Sequence, residues 1–204
     1  MAKKVTLDQL SNHLPSGTER TIFKWINELK VDFTISKPRK TKLGDFRPPF
    51  RQKPARITVN EDLNQYHFLI TTVHEFAHLG CYLKHKDSVL PHGQEWKSIY
   101  QKLLKKFIDS NVFPNDLLPA LSRHLSNTKA SSCSDSRLIE ALNAFDDQPK
   151  TFLKQVPMNT EFKLGNHLFR VEAKRKTRYL CVRLNDNKKY LVSGSAAIEI
   201  NAQY

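Results

Sequence analysis

Apolar and polar positions along the chain separate a mainly helical first part from a strand-rich last part. Apolar residues at helical spacing predict helices at 6–13, 18–29, 63–83, 92–110, 115–124 and 137–145. Alternating residues predict strands at 31–36, 43–47 and 56–60, and later at 161–164, 167–171, 178–183, 189–192 and 197–200. We therefore expect an α+β fold: a domain at 1–148 with a helical core and a small antiparallel sheet, followed by a small all-β subdomain at 149–204.

The helix predicted at 63–83 is apolar on most of its faces, which indicates that it is buried. Histidines aside, Glu75 is its only side chain that is charged at neutral pH. A buried carboxylate is costly unless a cation or a hydrogen-bond donor compensates it. Glu75 therefore marks a place where a cation is expected.

The same helix contains the pattern His-Glu-x-x-His, formed by His74, Glu75 and His78. Four residues turn a helix through about 400°, so both imidazoles leave the same face. Imidazoles are good zinc ligands, and a catalytic zinc site keeps one position open for water. Glu75 would then act as general base. The pattern predicts a zinc hydrolase with one ion, and the alternative is a chance match of two core histidines.

A catalytic site of this kind needs a third protein ligand, and three candidates follow along the chain. His92 lies one turn before Trp96 on the apolar face of the next predicted helix, so it should point inward. Glu95 also reads as an acid favoured in the first helical turn, and His85 sits in a charged exit segment. The order of preference is His92, then Glu95, then His85.

The chain is strongly basic, with 33 Lys and Arg against 20 Asp and Glu and a formal net charge of +13. Such an excess attracts polyanions, although any one cluster can simply be a solvated surface. Phe46, Phe50 and Tyr179 lie near two basic clusters and could stack on bases. The candidate nucleic-acid contacts are Lys37, Arg39, Lys40, Lys42, Lys174, Arg175, Lys176 and Arg178.

The cellular compartment is predicted from targeting and cysteine patterns that the sequence lacks. The N-terminus has no apolar segment typical of a secretion signal, and no stretch is apolar enough to span a membrane. Cys81, Cys133 and Cys181 are too widely spaced for a disulfide framework or a paired-cysteine metal site. We expect a cytoplasmic protein with reduced thiols.

Three segments together resemble the SprT-like family of zinc metallopeptidases, over about residues 31–107. They are Ile57-Thr58-Val59-Asn60, His74-Glu75-Phe76-Ala77-His78 and Pro91-His92-Gly93-Gln94-Glu95-Trp96. The resemblance implies a zincin-like core in which His74 and His78 bind zinc and Glu75 is catalytic. The histidine of the His-Gly segment, here His92, would complete the metal site.

The resemblance also suggests substrates and one departure. Many family members carry a C-terminal zinc ribbon with paired cysteines, whereas Cys181 stands alone in that region, so a second, cysteine-ligated zinc is not expected here. The implied function is a zinc metalloendopeptidase acting on DNA-associated proteins. A separate hypothesis is that strand 56–60 lies beside the active-site helix and pairs through an exposed edge with an extended peptide. The alternatives are a DNA-binding or scaffold protein with structural zinc, and a latent enzyme opened by a partner.

Overall fold

A computed structural model describes residues 4–39, 41–126 and 135–200 of the chain. The chain forms two compact units, Met1–Asp147 and Gln148–Tyr204. Two residues considered above, Lys40 and Cys133, lie outside the described residues. Across the described ranges, no helix is both long and apolar enough to cross a membrane.

The first unit combines six helices with three strands over its described residues. The helices are α1 (Leu7–Ser11), α2 (Glu19–Glu28), α3 (Gln65–His85), α4 (Gln94–Asp109), α5 (Leu118–Ser126) and α6 (Ser136–Asn143). The strands are β1 (Asp32–Ser36), β2 (Gly44–Arg47) and β3 (Arg56–Asn60). The predicted mixture of helices and strands is therefore confirmed.

The sheet of the first unit has the order β1-β3-β2. β2 runs antiparallel to β3, but β1 runs parallel to it, so the expectation of a purely antiparallel sheet is wrong. Two chain reversals, one on each side of β2, bring β3 back in the direction of β1. Since β3 is paired on both sides, the expectation that strand 56–60 offers an exposed edge is also wrong. The edges of this sheet are β1 and β2.

Helix α3 is the centre of the first core, and its predicted burial is confirmed. Its apolar residues are covered on several faces, with Phe68, Leu69, Ile70 and Val73 inaccessible to solvent. The helix begins where the Asn64 side chain accepts a hydrogen bond from the His67 backbone N–H at 3.0 Å. The same Asn64 side chain donates to the backbone oxygen of Leu142 at 2.9 Å, which fastens the start of α3 to α6.

The second unit is an antiparallel sheet, and the predicted all-β C-terminal region is confirmed. Its six strands lie in the order β4-β9-β5-β6-β7-β8. They are β4 (Thr151–Phe152), β5 (Glu161–Leu164), β6 (His167–Arg175), β7 (Arg178–Arg183), β8 (Lys189–Ser193) and β9 (Ala197–Ile200), with a short 3-10 helix at Leu153–Gln155. This unit has its own buried cluster, which includes Phe162, Val171 and Cys181.

Candidate metal centre

Three histidines of the first unit converge on one point. His74 and His78 lie one turn apart on α3, and their Nε2 atoms are 3.2 Å apart. The Nε2 atom of His92 lies 3.0 Å from that of His78 and 3.2 Å from that of His74. Among the residues that the structure describes, these three histidines form the one group of side chains that could hold a metal ion together.

His92 reaches this cluster from a turn and not from a helix. Helix α4 begins at Gln94 with Gly93 as its N-cap, so the expectation that His92 lies on the helical stripe is wrong. The Gly93 backbone N–H donates to the oxygen of Leu90 at 2.9 Å, and His92 has a left-handed backbone with φ 58°. This tight turn delays the helix, because a left-handed residue cannot continue right-handed helical hydrogen bonding.

The environment keeps the three imidazoles neutral. Burial, followed by the proximity of the other histidines, lowers the pKa of His74 to about 2. Burial and His92 lower the pKa of His78 to about 4, and burial also lowers the pKa of His92. Neutral imidazoles are the form that binds metal ions.

The spacing of the three nitrogens fits a zinc ion. Each Nε2 carries one proton or one lone pair, so it cannot satisfy two neighbours at hydrogen-bond distance at once. A cation between three lone pairs would satisfy all of them. Zn–N bonds of about 2.0–2.1 Å at tetrahedral angles place ligand nitrogens roughly 3.3 Å apart, close to the distances of 3.0–3.2 Å found here.

Trp96 of α4 supports the histidine cluster from one side. Its ring centroid lies 4.6 Å from that of His74, 5.2 Å from that of His78 and 4.7 Å from that of His92. Tyr100 stacks on Trp96 at 4.9 Å, and its hydroxyl lies 3.2 Å from Nε2 of His124. A buried aromatic layer from α4 therefore restricts where the three imidazole rings can lie.

Glu75 is buried beside the first strand residue of β2. Burial raises the pKa of Glu75 to about 8, with a further rise from Asp45 and opposing effects from Arg39 and Lys42. A Cβ atom added to Gly44 would collide with the Glu75 side chain, at 2.8 Å from its Cδ and Cγ atoms and closer still to Oε1. The carboxyl group occupies the space that only glycine leaves free.

The buried Asn60 side chain organises the segment that leads into Gly44. Its Nδ2 donates to the backbone oxygens of Lys42 at 3.1 Å and Arg39 at 3.3 Å. Its Oδ1 accepts from Nε of Arg39 at 2.8 Å. Asn60 thus connects the end of β3 to the chain that places β2 beside Glu75. The sequence does not predict Gly44 or Asn60 as site residues. The one signal for Gly44 is an isolated glycine inside a strand pattern.

The remaining candidates lie apart from the histidine cluster. Glu95 is exposed, and neither it nor His85 belongs to the group of side chains that could hold a metal ion. In the first basic segment Lys37 is exposed, while Arg39 is bonded to Asn60 and Lys42 forms an ion pair with Asp45 at 2.7 Å.

In the second unit the candidates for nucleic-acid contact are exposed around the β6–β7 turn. They are Lys174, Arg175, Lys176 and Arg178. Tyr179 is buried, with 4% of its surface exposed, so the expectation that it could stack on bases is wrong. Its ring belongs to the core of the sheet.

Comparison with known proteins identifies the family of the chain. A model of the SprT-like family matches residues 11–124, which include all of β1–β3 and α3, the three histidines and Glu75. The chain belongs to the SprT-like family. No curated protein and no solved structure matches it.

Proposed function

We propose that the protein is a zinc-dependent metalloendopeptidase with a zincin-like core. The observation that carries the proposal is the convergence of His74, His78 and His92 within 3.2 Å, one residue from a buried Glu75. The family match supports the same class of site. Structural zinc sites are usually closed by four protein ligands, whereas the three histidines leave a position for water or substrate.

Zinc held by these histidines would supply Lewis-acid chemistry, which polarises a peptide carbonyl and makes a nearby water more acidic. Glu75 accepts a proton from that water at its carboxylate, and the water oxygen forms the new bond to the carbonyl carbon. Glu75 then returns the proton to the departing amine as the C–N bond breaks. A neighbouring cation also favours the ionised carboxylate that this role requires.

The free edge of β2 supports an extended substrate beside the site. Within the described residues, β2 pairs with β3 on one side and with no strand on the other. Gly44 contacts Glu75, and Phe46 of the same strand stacks on His78 with ring centroids 6.2 Å apart. Peptides bind exposed strand edges through backbone hydrogen bonds. In our proposal β2 takes the substrate-binding role that the sequence alone suggested for β3.

Substitution of Glu75 tests the proposal directly. Zinc-loaded Glu75→Gln should retain its zinc but lose cleavage of an unfolded protein such as casein by at least about 1,000-fold, because the proton acceptor is gone. His74→Ala should lose both zinc and cleavage. Metal analysis and a gel-based cleavage assay measure the two properties. His85→Ala is the matched control and should keep both.

Two results would contradict this mechanism. Cleavage by Glu75→Gln at the parent rate would exclude Glu75 as the base. A parent protein that binds zinc but cleaves nothing would favour the alternative of a structural zinc in a binding protein.

We also propose that the two units are separate domains and that the β unit contacts nucleic acid. From residue 148 onward the sequence has eleven Lys and Arg against four Asp and Glu. Four of these cations are exposed around the β6–β7 turn, where phosphates could reach them. Nucleic acid would then bring the protease to proteins bound there, in the cytoplasm.

A further inference from the structure

A groove opens beside two of the three histidines of the metal centre. It has a volume of about 310 Å³, and both His78 and His92 line it. Its other walls come mainly from apolar or aromatic side chains: Phe46, Tyr82, Val89, Leu90 and Trp96. A substrate residue next to a metal-bound carbonyl would therefore place its side chain at this groove.

Strand β2 connects the groove to the proposed catalytic carboxyl group. Successive strand side chains alternate between faces, so Gly44 and Phe46 lie on the same face of β2. Gly44 faces Glu75, while the ring of Phe46 lies parallel to that of His78, with an angle of 7° between them. Phe46 also packs against Tyr82, with centroids 6.2 Å apart. A peptide along β2 would pass both the carboxyl group and the groove.

The charges at the groove do not favour a charged occupant. Its two charged lining residues, Lys86 and Asp87, have opposite signs. The ammonium group of Lys86 lies over the ring of Tyr82, at 5.0 Å from the centroid. A charged side chain entering between the aromatic walls would lose hydration without a specific partner. An apolar side chain has no comparable hydration to lose, and it would cover exposed apolar surface.

Leu90 extends the apolar wall to the mouth of the groove. It is 78% exposed, more than any other large apolar side chain in the described residues. It also belongs to the turn that places His92, since its backbone oxygen accepts from Gly93. An occupant of the groove would therefore cover Leu90 while its backbone passes the metal centre.

We infer that this groove is a specificity pocket that receives a large apolar side chain of the substrate, such as leucine, methionine or phenylalanine. The inference rests on the proposed function and defines its substrate class: extended or unfolded polypeptide segments that contain large apolar residues. Folded proteins bury such side chains. The enzyme therefore acts on segments that have lost their folded structure.

Binding of short peptides tests the pocket without requiring turnover. The zinc-loaded Glu75→Gln protein is titrated into fluorescent peptides of otherwise polar sequence that carry one leucine, phenylalanine, glycine or aspartate. Fluorescence anisotropy gives each affinity. The leucine and phenylalanine peptides should bind at least about tenfold more tightly than the other two, because a buried side chain of that size is worth more than one factor of ten.

Leu90→Asp in the same background should reduce this preference about tenfold. Leu83→Asp is the matched control, because Leu83 is 48% exposed and does not line the groove. Equal binding of the four peptides, or an unchanged preference in Leu90→Asp, would overturn the inference. Cleavage of the same peptides by the parent separates the two proposals. Preferential binding without cleavage would remove the peptidase and keep the pocket, whereas cleavage without preference would remove the pocket alone.

Discussion

The two units of the chain place their polar groups in opposite ways. In the first unit the decisive polar residues are buried: His74 is 8% exposed, Glu75 6% and Asn60 0%. In the second unit the buried cluster is apolar or aromatic. The charged residues of this unit lie on the surface, most densely around the β6–β7 turn. One unit holds polar groups in fixed positions, and the other presents a basic surface.

This contrast predicts different responses to mutation. A buried polar group depends on every partner around it, so displacement by a single carbon atom is felt at the site. An exposed charge acts through a long-range field to which many residues contribute, so one substitution changes little. The first unit should be sensitive to small changes of shape, and the second to changes of total charge.

Among the substitutions that test this contrast, the largest effect is expected for Gly44→Ala. The added methyl group must push aside the Glu75 carboxyl group, since its Cβ would stand 2.8 Å from Cδ. Misplacement of a catalytic group by about 1 Å can cost about 100-fold in rate. We expect a loss of that size in casein cleavage with unchanged zinc content.

Gly80→Ala serves as control for this experiment. It adds the same methyl group within α3, where the Cβ would meet only the γ2 methyl of Ile99 at 3.2 Å. Its cleavage rate should stay within about threefold of the parent. If Gly44→Ala cleaved as well as Gly80→Ala, Gly44 would have no part in positioning Glu75.

The next effect in size is expected for Asn60→Leu. The leucine is similar in volume but leaves the backbone oxygens of Arg39 and Lys42 and the guanidinium of Arg39 without their Asn60 partner. Buried polar groups left unpaired cost about 1–3 kcal/mol each. We expect the free energy of unfolding to fall by about 3 kcal/mol in urea titrations, together with reduced cleavage. A stability equal to that of the parent would show that the 37–43 segment is held by other contacts.

For the second unit a smaller effect is expected, and it should appear only in nucleic-acid binding. Lys174→Glu combined with Lys176→Glu should weaken binding of single-stranded DNA at low salt about tenfold. The control, Lys102→Glu with Lys106→Glu, changes the net charge by the same amount on the exposed face of α4. It should weaken DNA binding less than threefold. Anisotropy titrations compare the two. Equal losses would mean that total charge, and not the β6–β7 turn, governs binding.

The smallest effect concerns pH and the buried His124. Burial lowers the pKa of His124 despite its bond to Asp135, whose own pKa is also lowered. Below pH 6.5 the unfolded chain therefore binds a proton that the folded protein does not, so stability falls as pH falls. Relative to His124→Asn, the metal-free parent should lose more free energy of unfolding as pH falls below 6.5, by at most about 1.4 kcal/mol per pH unit. Parallel stability curves for the two proteins would contradict this.

Local patterns were sufficient to predict most elements. The helical spacing around Leu69 and Val73 and the alternation around Ile57 and Val59 reflect burial against one core, and these residues are 0% exposed. The direction of β1 was not predictable in this way, because the same alternation suits parallel and antiparallel neighbours. Only the path of the chain around β2 decides it.

The candidate site likewise combines features that local sequence patterns predict with features that they do not. The spacing of His74 and His78 follows from helix geometry, so their convergence is a local property. His92 joins them through a turn whose left-handed backbone has no signature in apolar spacing. The contact between Gly44 and Glu75 joins residues 31 positions apart, and no pattern within either segment indicates it.

The left-handed turn at His92 has a consequence for how metal is gained and lost. His74 and His78 stand one turn apart on a single helix, whereas His92 is carried by a short connection between two helices. If the three histidines bind an ion, as proposed, loading and release would proceed in steps, with His92 associating last and dissociating first. The residence time of such an ion would then depend on the 86–93 connection, and substitutions there would change metal exchange while leaving the helix untouched.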